Sequence, residues 1–109
     1  MICRVWHGWT PRVNASRYDS YLNDELLPHV GDELASQGFL GFQVLRHDRG
    51  DEVEFVTMLW FDSIDSVKSF AGEDYVTPVV SEKAKKLLAR YAECSEHFEV
   101  SGFRWPPRK

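Results

Sequence analysis

Two β-rich runs, Phe39 to Asp48 and Glu52 to Phe61, flank the short segment Arg49-Gly50-Asp51. Runs of β-branched and aromatic residues on both sides of a glycine-containing turn indicate a β-hairpin. This hairpin constrains the fold most, because the segments before and after it must supply the remaining strands and the helices that cover them.

The segment before the hairpin predicts one strand and one interrupted helix. Ile2 to Trp9 is rich in β-formers, and 10–14 breaks this strand. Either Asn14 or Ser16 is expected to cap the helix that follows. Its apolar residues recur every four positions, as Tyr18, Leu22, Leu26, Val30 and Leu34. Pro28 lies inside this helix and predicts a kink or a break into two helices, because proline removes a backbone donor.

The segment after the hairpin predicts two short helices and a last strand. Asp62 or Ser63 is expected to cap a helix that ends at Gly72. Thr77-Pro78 resembles a second helix start, followed by the apolar stripe Val80, Ala84, Leu87, Leu88 and Tyr91. The last strand is predicted from about Glu93 to Val100.

The element order is therefore β-α-β-β-α-β, which predicts one ferredoxin-like α+β domain over residues 1–100 and a tail over 101–109. Right-handed crossovers give an antiparallel sheet of order 4-1-3-2 with both helical segments on one face. The other face keeps large apolar side chains, and a second copy is expected to cover it as a homodimer.

Composition excludes several classes of function. The chain has 109 residues, 43% hydrophobic residues and a formal net charge of −4, which fits a globular domain without a nucleic-acid partner. No signal-peptide region or membrane-spanning run is present, so a cytoplasmic location without membrane association is expected. Cys3 and Cys94 are expected to be reduced thiols, and no metal site is predicted. Nucleophile-elbow, phosphate-loop and dinucleotide motifs are absent.

Several segments resemble the antibiotic-biosynthesis monooxygenase superfamily. They are 1–10 (MICRVWHGWT), 52–57 (EVEFVT), 61–75 (FDSIDSVKSFAGEDY) and 97–100 (HFEV), and the resemblance covers residues 1–100. It implies a dimeric α+β barrel with a pocket between the helices and the sheet of each subunit. It also implies oxidation of electron-rich aromatic substrates without metal, haem or flavin.

A haem-degrading branch of that superfamily is a less favoured alternative. Trp60 matches a key tryptophan of that branch, near the end of the third strand. His7 stands on the first strand, where that branch has an asparagine. Residues 74–91 contain no histidine to act as its haem ligand.

A geometric argument selects the candidate catalytic residues His7, His97 and Trp60. If strand 1 runs parallel to strand 3 and antiparallel to strand 4, these residues and Trp9 meet at one end of the sheet. A histidine can accept a phenolic proton near neutral pH. The structural alternatives are a surface or hydrogen-bonded role for each histidine and a core role for Trp60.

Further substrate contacts are predicted from Trp9, His29, Phe70 and Tyr75. The leading hypothesis is a monooxygenase without a cofactor that acts on a small phenolic or polycyclic aromatic substrate. The alternative is a non-catalytic dimer that binds a hydrophobic ligand or a protein partner, and a third hypothesis is an isomerase of aromatic catabolites. A cavity of roughly 300 Å³ or more with a histidine facing it favours an enzyme.

Overall fold

The computed structural model describes residues 1–105, so the predicted tail is described only in part. The strands are β1 (Ile2–Pro11), β2 (Phe39–Asp48), β3 (Glu52–Phe61), β4 (Arg90–Tyr91) and β5 (Glu96–Glu99). The helices are α1 (Ala15–Ser20), α2 (Leu27–Leu34), α3 (Ile64–Ala71) and α4 (Glu82–Leu87). A 3-10 turn covers Arg12–Asn14, and a π-helical turn covers Tyr21–Leu26.

The strands form one antiparallel sheet in the order β2-β3-β1-β4, and β5 also pairs with β1. This confirms the predicted ferredoxin-like α+β fold and its 4-1-3-2 order, with the last strand divided into β4 and β5. The division differs from the continuous strand predicted over 93–100. Its cause is the loop at 92–95, where the Ser95 amide donates to the Val76 carbonyl at 2.7 Å instead of to the sheet.

Alternation along β1 and β3 separates the two faces of the sheet. Val53, Phe55, Leu59 and Phe61 point toward the helices and are at most 6% exposed. They pair with Thr10, Gly8, Arg4 and Ile2 of β1, so the even-numbered residues of β1 share this helix side. The odd-numbered residues of β1 lie on the opposite face, which no helix of the described chain covers and which we call the open face.

The π-helical turn occurs immediately before the predicted proline interruption. The Leu27 amide donates to the Leu22 carbonyl, five residues back instead of four. Pro28 has no amide to donate, and its ring crowds the preceding turn, so a wider turn relieves both effects. The extra residue shifts the buried position from Leu26, predicted from the four-residue period, to Leu27. Asn14 does not cap α1 with its side chain, because its amide nitrogen donates to the Leu87 carbonyl at 3.1 Å.

The second helical segment is confirmed in part. The Ser63 hydroxyl accepts from the Ser66 amide at 3.2 Å, and Gly72 ends α3 with a φ of 87°. The predicted helix start at Thr77-Pro78 is wrong, since α4 begins at Glu82 and Ser81 is its cap. Residues 75–77 are held elsewhere, because their carbonyls accept hydrogen bonds from Arg4 and from the Ser95 amide.

Replacing the α3 cap should lower stability measurably. We expect Ser63→Ala to reduce the free energy of unfolding by about 1 kcal/mol, because the Ser66 amide loses its acceptor. Ser69→Ala, on the exposed side of the same helix, should change it by less than about 0.5 kcal/mol. Urea denaturation followed by circular dichroism measures both, and equal effects would contradict the capping role.

Candidate functional site

A cleft opens between the helix side of the sheet, α2, α3 and the segment before α4. One end, where β1 and β3 form the floor, is a chamber of about 50 Å³ that we call the closed end. The outer part is a groove of about 320 Å³ between the helices and the segment before α4. Both parts share six lining residues, Leu26, Leu27, Phe70, Val79, Val80 and Ser81. We call the two parts together the helix-side cleft. Its lining is mostly aliphatic and aromatic, which is typical of a small-molecule site.

Arg4 lies at the closed end of this cleft. It is 3% exposed, because it sits on the helix side of the central strand β1. Its Nη1 donates to the Tyr75 carbonyl and contacts His97 Nε2 at 2.9 Å, and its Nη2 reaches the Thr77 carbonyl at 3.4 Å. The guanidinium carbon also lies 5.4 Å from the centroid of the Phe70 ring. Burial lowers the pKa of Arg4 to about 10, so the side chain is still a cation at neutral pH.

His97 on β5 lies directly beside Arg4, its register partner on β1. An arginine can only donate, so His97 Nε2 accepts this hydrogen bond and Nδ1 carries the ring proton. The Tyr75 ring packs edge-on against the imidazole, with the centroids 5.0 Å apart. Burial, and then the positive charge of Arg4, hold the pKa of His97 below its ordinary value of 6.5. His97 is therefore a neutral imidazole at physiological pH.

Two further residues with polar side-chain atoms, Trp6 and Ser95, are among those that line the chamber. Trp6 donates its indole N–H to the Ala92 carbonyl at 2.9 Å. Ser95 is 4% exposed, and its hydroxyl has no hydrogen-bond partner within residues 1–105. A buried hydroxyl without a partner is uncommon in a folded protein. The chamber therefore combines an apolar wall with a buried cation and an unsatisfied hydroxyl.

The predicted meeting of His7, Trp9, Trp60 and His97 is wrong. These residues could meet only if β1 and β3 were parallel. The two strands are antiparallel, so Trp60 pairs with Cys3 near the start of β1. His7 pairs with Val56, about half the ladder away. His7, Trp9 and Trp60 are also on the open face, while His97 is on the helix side. Of these four residues only His97 is on the helix side, where it does not line the cleft itself and contacts Arg4, which does.

The open face has a polar network of its own around His7. His7 Nδ1 lies 3.0 Å from Glu54 Oε2, and Arg49 Nη2 lies 2.8 Å from Glu54 Oε1. The hydrogen bond from His7, followed by the one from Arg49, lowers the pKa of the Glu54 carboxyl. Trp9 packs under the guanidinium of Arg90 at 4.0 Å. These contacts give His7 and Trp9 structural partners.

The other predicted contact residues divide between the cleft and the surface. Phe70 lines the helix-side cleft, and Tyr75 reaches it through Arg4 and His97. His29 points to solvent from α2, with Nε2 3.1 Å from the exposed Glu33 carboxylate. Trp60 lines a different groove of about 390 Å³, on the open face, together with Met1, Leu40 and the tail residues Phe103 and Trp105.

The sequence interpretation missed Arg4, Trp6 and Ser95. A signal for the first two was available, since Ile2, Arg4 and Trp6 have the same parity on a strand and therefore share one face. An arginine flanked by large apolar residues on the buried face of a strand is unusual. Ser95 gave no signal, because its burial depends on the distant loop at Val76.

The described residues contain no group of three or more His, Cys, Asp or Glu side chains arranged to hold a metal ion. Cys3, buried on the open face, and the exposed Cys94 are both free thiols. No helix within residues 1–105 is long and apolar enough to cross a membrane.

Comparisons with known proteins identify the fold. No protein-family model matches the chain, and no curated protein matches its sequence significantly. A Bacillus cereus protein provisionally assigned as an antibiotic biosynthesis monooxygenase has a similar structure, with a TM-score of 0.64 and 12% identity over 99% of this chain and 98% of that chain. The haem degrader MhuD of Mycobacterium tuberculosis, solved with two haems in its active site, gives a TM-score of 0.49 and 19% identity over 96% of this chain and 100% of that chain. The first comparison confirms the α+β fold of the single chain that the sequence resemblance implied.

The protonation of His97 can be measured directly. We expect its ring to titrate below pH 6.5 by NMR, because both burial and Arg4 oppose the imidazolium. Arg4→Met removes the charge and keeps most of the burial, so the midpoint should rise only part of the way. A midpoint unchanged by Arg4→Met would show that Arg4 does not act on His97.

The lowered pKa of His97 also predicts that the stability of the protein depends on pH. Below pH 6.5 the unfolded chain binds a proton at His97 more readily than the folded chain does, so the free energy of unfolding falls as pH drops through this window. His97→Gln cannot titrate and should lose this part of the slope. Thermal unfolding at several pH values measures it, with the exposed His47→Gln as the matched control.

Proposed function

We propose that this protein binds a small planar aromatic molecule in the helix-side cleft and oxidises it with molecular oxygen, without a cofactor. The observation that carries the proposal is a neutral histidine, His97, hydrogen-bonded to the Arg4 side chain at the closed end of an apolar cleft. A neutral imidazole is a suitable acceptor for a phenolic proton near neutral pH.

The outer groove supplies the binding surface for the aromatic body. Its volume of about 320 Å³ lies within the range of small-molecule sites. Leu27, Val30, Phe70 and Val80 contribute apolar contacts on several sides of this groove. Phe70 also offers an aromatic ring against which a planar substrate can pack.

The proposed reaction begins with transfer of the phenolic proton to His97 Nε2. His97 Nε2 does not line the chamber and is hydrogen-bonded to Arg4 Nη1. In the proposed reaction the phenolic oxygen therefore takes the place of Arg4 Nη1 as the partner of this nitrogen. The electron-rich phenolate then reduces oxygen. A phenol with a free para position gains one oxygen atom and loses two hydrogens to become a quinone, and the second oxygen atom leaves as water. All four electrons come from the substrate.

A non-catalytic ligand-binding protein of the same fold is the second candidate. It is favoured by the size of the chamber, since about 50 Å³ leaves little room for an aromatic ring and oxygen together beside His97. It is also favoured by the position of His97, which contacts the chamber through Arg4. The two candidates share the binding site and differ in turnover.

We also propose that a second copy of the chain covers the open face. Leu45 is 46% exposed and Phe98 is 51% exposed on this face, and Val5, Val56 and Met58 lie between them. Apolar area of this extent on one face of a sheet is typical of an interface. The groove beside Trp60 and the tail residues Phe103 and Trp105 borders this face and would extend the contact.

Turnover is tested by oxygen consumption and quinone absorbance with a panel of bicyclic and tricyclic phenols. We expect His97→Gln to lower kcat/KM by about 100-fold or more, since general-base contributions are of this order. His47→Gln, on the exposed end of β2, should retain wild-type activity. In the wild type, kcat/KM should fall as pH drops through the lowered pKa of His97, because only the neutral ring accepts the proton.

Several results would decide against this proposal. Undiminished turnover in His97→Gln would remove His97 from the mechanism. Tight binding of the same phenols with no oxygen consumed would favour the non-catalytic candidate.

The proposed dimer is tested by light scattering after size-exclusion chromatography. We expect the wild type to have twice the mass of the chain and Val56→Asp, at the centre of the open face, to be monomeric. Val13→Asp places the same charge on a residue that is 84% exposed beside α1, and it should leave the mass unchanged. A monomeric wild type would overturn this part of the proposal.

A further inference from the structure

Arg4 is a buried cation without a buried anion. No Asp or Glu lines the chamber, and Arg4 takes part in no salt bridge within residues 1–105. Its partners are two backbone carbonyls and a neutral imidazole, all of which are uncharged. Burying a charge is costly unless an opposite charge or a full set of hydrogen bonds compensates it. The chamber is therefore electrostatically incomplete.

The guanidinium also retains hydrogen-bonding capacity. It has five N–H donors, and the two donors on Nη1 are used by Tyr75 and His97. Nη2 has one long contact, to the Thr77 carbonyl, and Nε has no acceptor within the described residues. The edge formed by Nε and Nη2 can therefore bind two oxygen atoms of one ligand.

Ser95 provides an independent observation at the same chamber. Ser95 is one of the residues that line the cavity, it is 4% exposed, and its buried hydroxyl has no partner among residues 1–105. Burial of an unsatisfied hydroxyl costs about 1–3 kcal/mol, so such a group usually has a ligand or a water as its partner. The hydroxyl can donate to an oxygen atom that Arg4 also binds.

The size of the chamber limits what can occupy it. A volume of about 50 Å³ holds a few water molecules or one carboxylate-sized group, and it is too small for an aromatic ring. The apolar groove continues from it across shared walls, and it has room for a ring system. A ligand with a polar end that fits the chamber and a planar apolar body that fits the groove matches this arrangement.

We propose that Arg4 and Ser95 form an oxyanion-binding site at the closed end of the helix-side cleft, so that the natural ligand is a planar apolar molecule ending in a carboxylate or an ionised phenol. The inference rests on the ligand-binding part of the proposed function and adds the charge of the ligand. The anion neutralises Arg4, accepts from the Ser95 hydroxyl and directs the apolar body into the groove.

The first test compares ligands of the same shape and different charge on the full-length protein. Isothermal titration with 2-naphthoate and with 2-naphthamide at pH 7 should show at least about tenfold tighter binding of the anion, as expected for a charge-assisted hydrogen-bonded pair. Equal affinities would overturn the proposal, because they would show that Arg4 and Ser95 do not distinguish a charged ligand from a neutral one.

Two variants assign the effect to the proposed residues. Arg4→Met should weaken 2-naphthoate by about tenfold or more and leave 2-naphthamide unchanged. Ser95→Ala should weaken 2-naphthoate several-fold and is the deciding variant if Arg4→Met does not fold. Ser36→Ala, exposed in the turn after α2 and outside the lining of the cleft, is the matched control and should bind like the wild type. Charge preference that survives in both Arg4→Met and Ser95→Ala would place the anion elsewhere.

A third probe separates the two sources of the anion. The phenolate of 4-nitrophenol absorbs at a longer wavelength than the phenol, so its absorbance reports the ionised fraction in the complex. An ionised-phenol site should stabilise the bound phenolate and shift its titration to lower pH in the wild type and not in Arg4→Met. Tight 2-naphthoate binding without this shift identifies the carboxylate as the ligand group.

The failure of this inference can be distinguished from failure of the proposed enzyme. Charge-selective binding without oxygen consumption would support the anion site and remove the oxygenase. Oxygen consumption with equal affinity for charged and neutral ligands would support the oxygenase and remove the anion site.

Discussion

The ladder between β1 and β3 is the constraint on which the site depends. It runs without a break from Ile2 opposite Phe61 to Pro11 opposite Glu52. This register places Arg4 under the helices and Val5 on the open face. A shift of one residue would exchange these two positions, because side chains alternate along a strand. The burial of Phe61 and Phe55 on the helix side opposes such a shift, since both are at most 1% exposed.

The hairpin and the α3 boundaries could be predicted from the sequence because local signals specify them, and the sheet order followed from the handedness of the crossovers. Turn glycines, the Ser63 cap and alternating apolar residues act over a few positions. The start of α4 could not be found in this way, because residues 75–77 are held by hydrogen bonds from Arg4 and from the Ser95 amide. Long-range contacts of this kind leave no periodic pattern in the segment itself.

The candidate site was predicted only in part, for two different reasons. Of the predicted residues, Phe70 lines the helix-side cleft, and His97 and Tyr75 contact Arg4, which lines it. Trp60 was placed beside His7 and Trp9 because β1 and β3 were taken as parallel. All three residues miss the cleft because the alternation of side chains puts them on the open face. Arg4 was within reach of the sequence, since the parity of Ile2 and Trp6 already assigns it to one face.

The two faces of the sheet treat buried charge in opposite ways. On the open face, Glu54 has two partners, His7 and Arg49, and its charge is balanced within the chain. On the helix side, the partners of Arg4 among residues 1–105 are all neutral. A protein that needed Arg4 for stability alone could have supplied a carboxylate, as it does for Arg49. The charge of Glu54 is thus balanced by neighbouring side chains, whereas the charge of Arg4 has no opposite charge beside it among the described residues.

The π-helical turn at Tyr21–Leu26 sets which residues of this helical segment face the cleft, and it does so through chain length and not through side-chain identity. Leu26 and Leu27 both line the cleft because the extra residue turns the helix by one position between them. Removing one residue from this turn would restore a regular α-helix and rotate every wall residue before it by about 100° relative to α2. Chain length at this turn, independent of amino-acid identity, is thus a means by which descendants of this sequence can remodel the shape of the cleft while keeping Arg4 and the sheet unchanged.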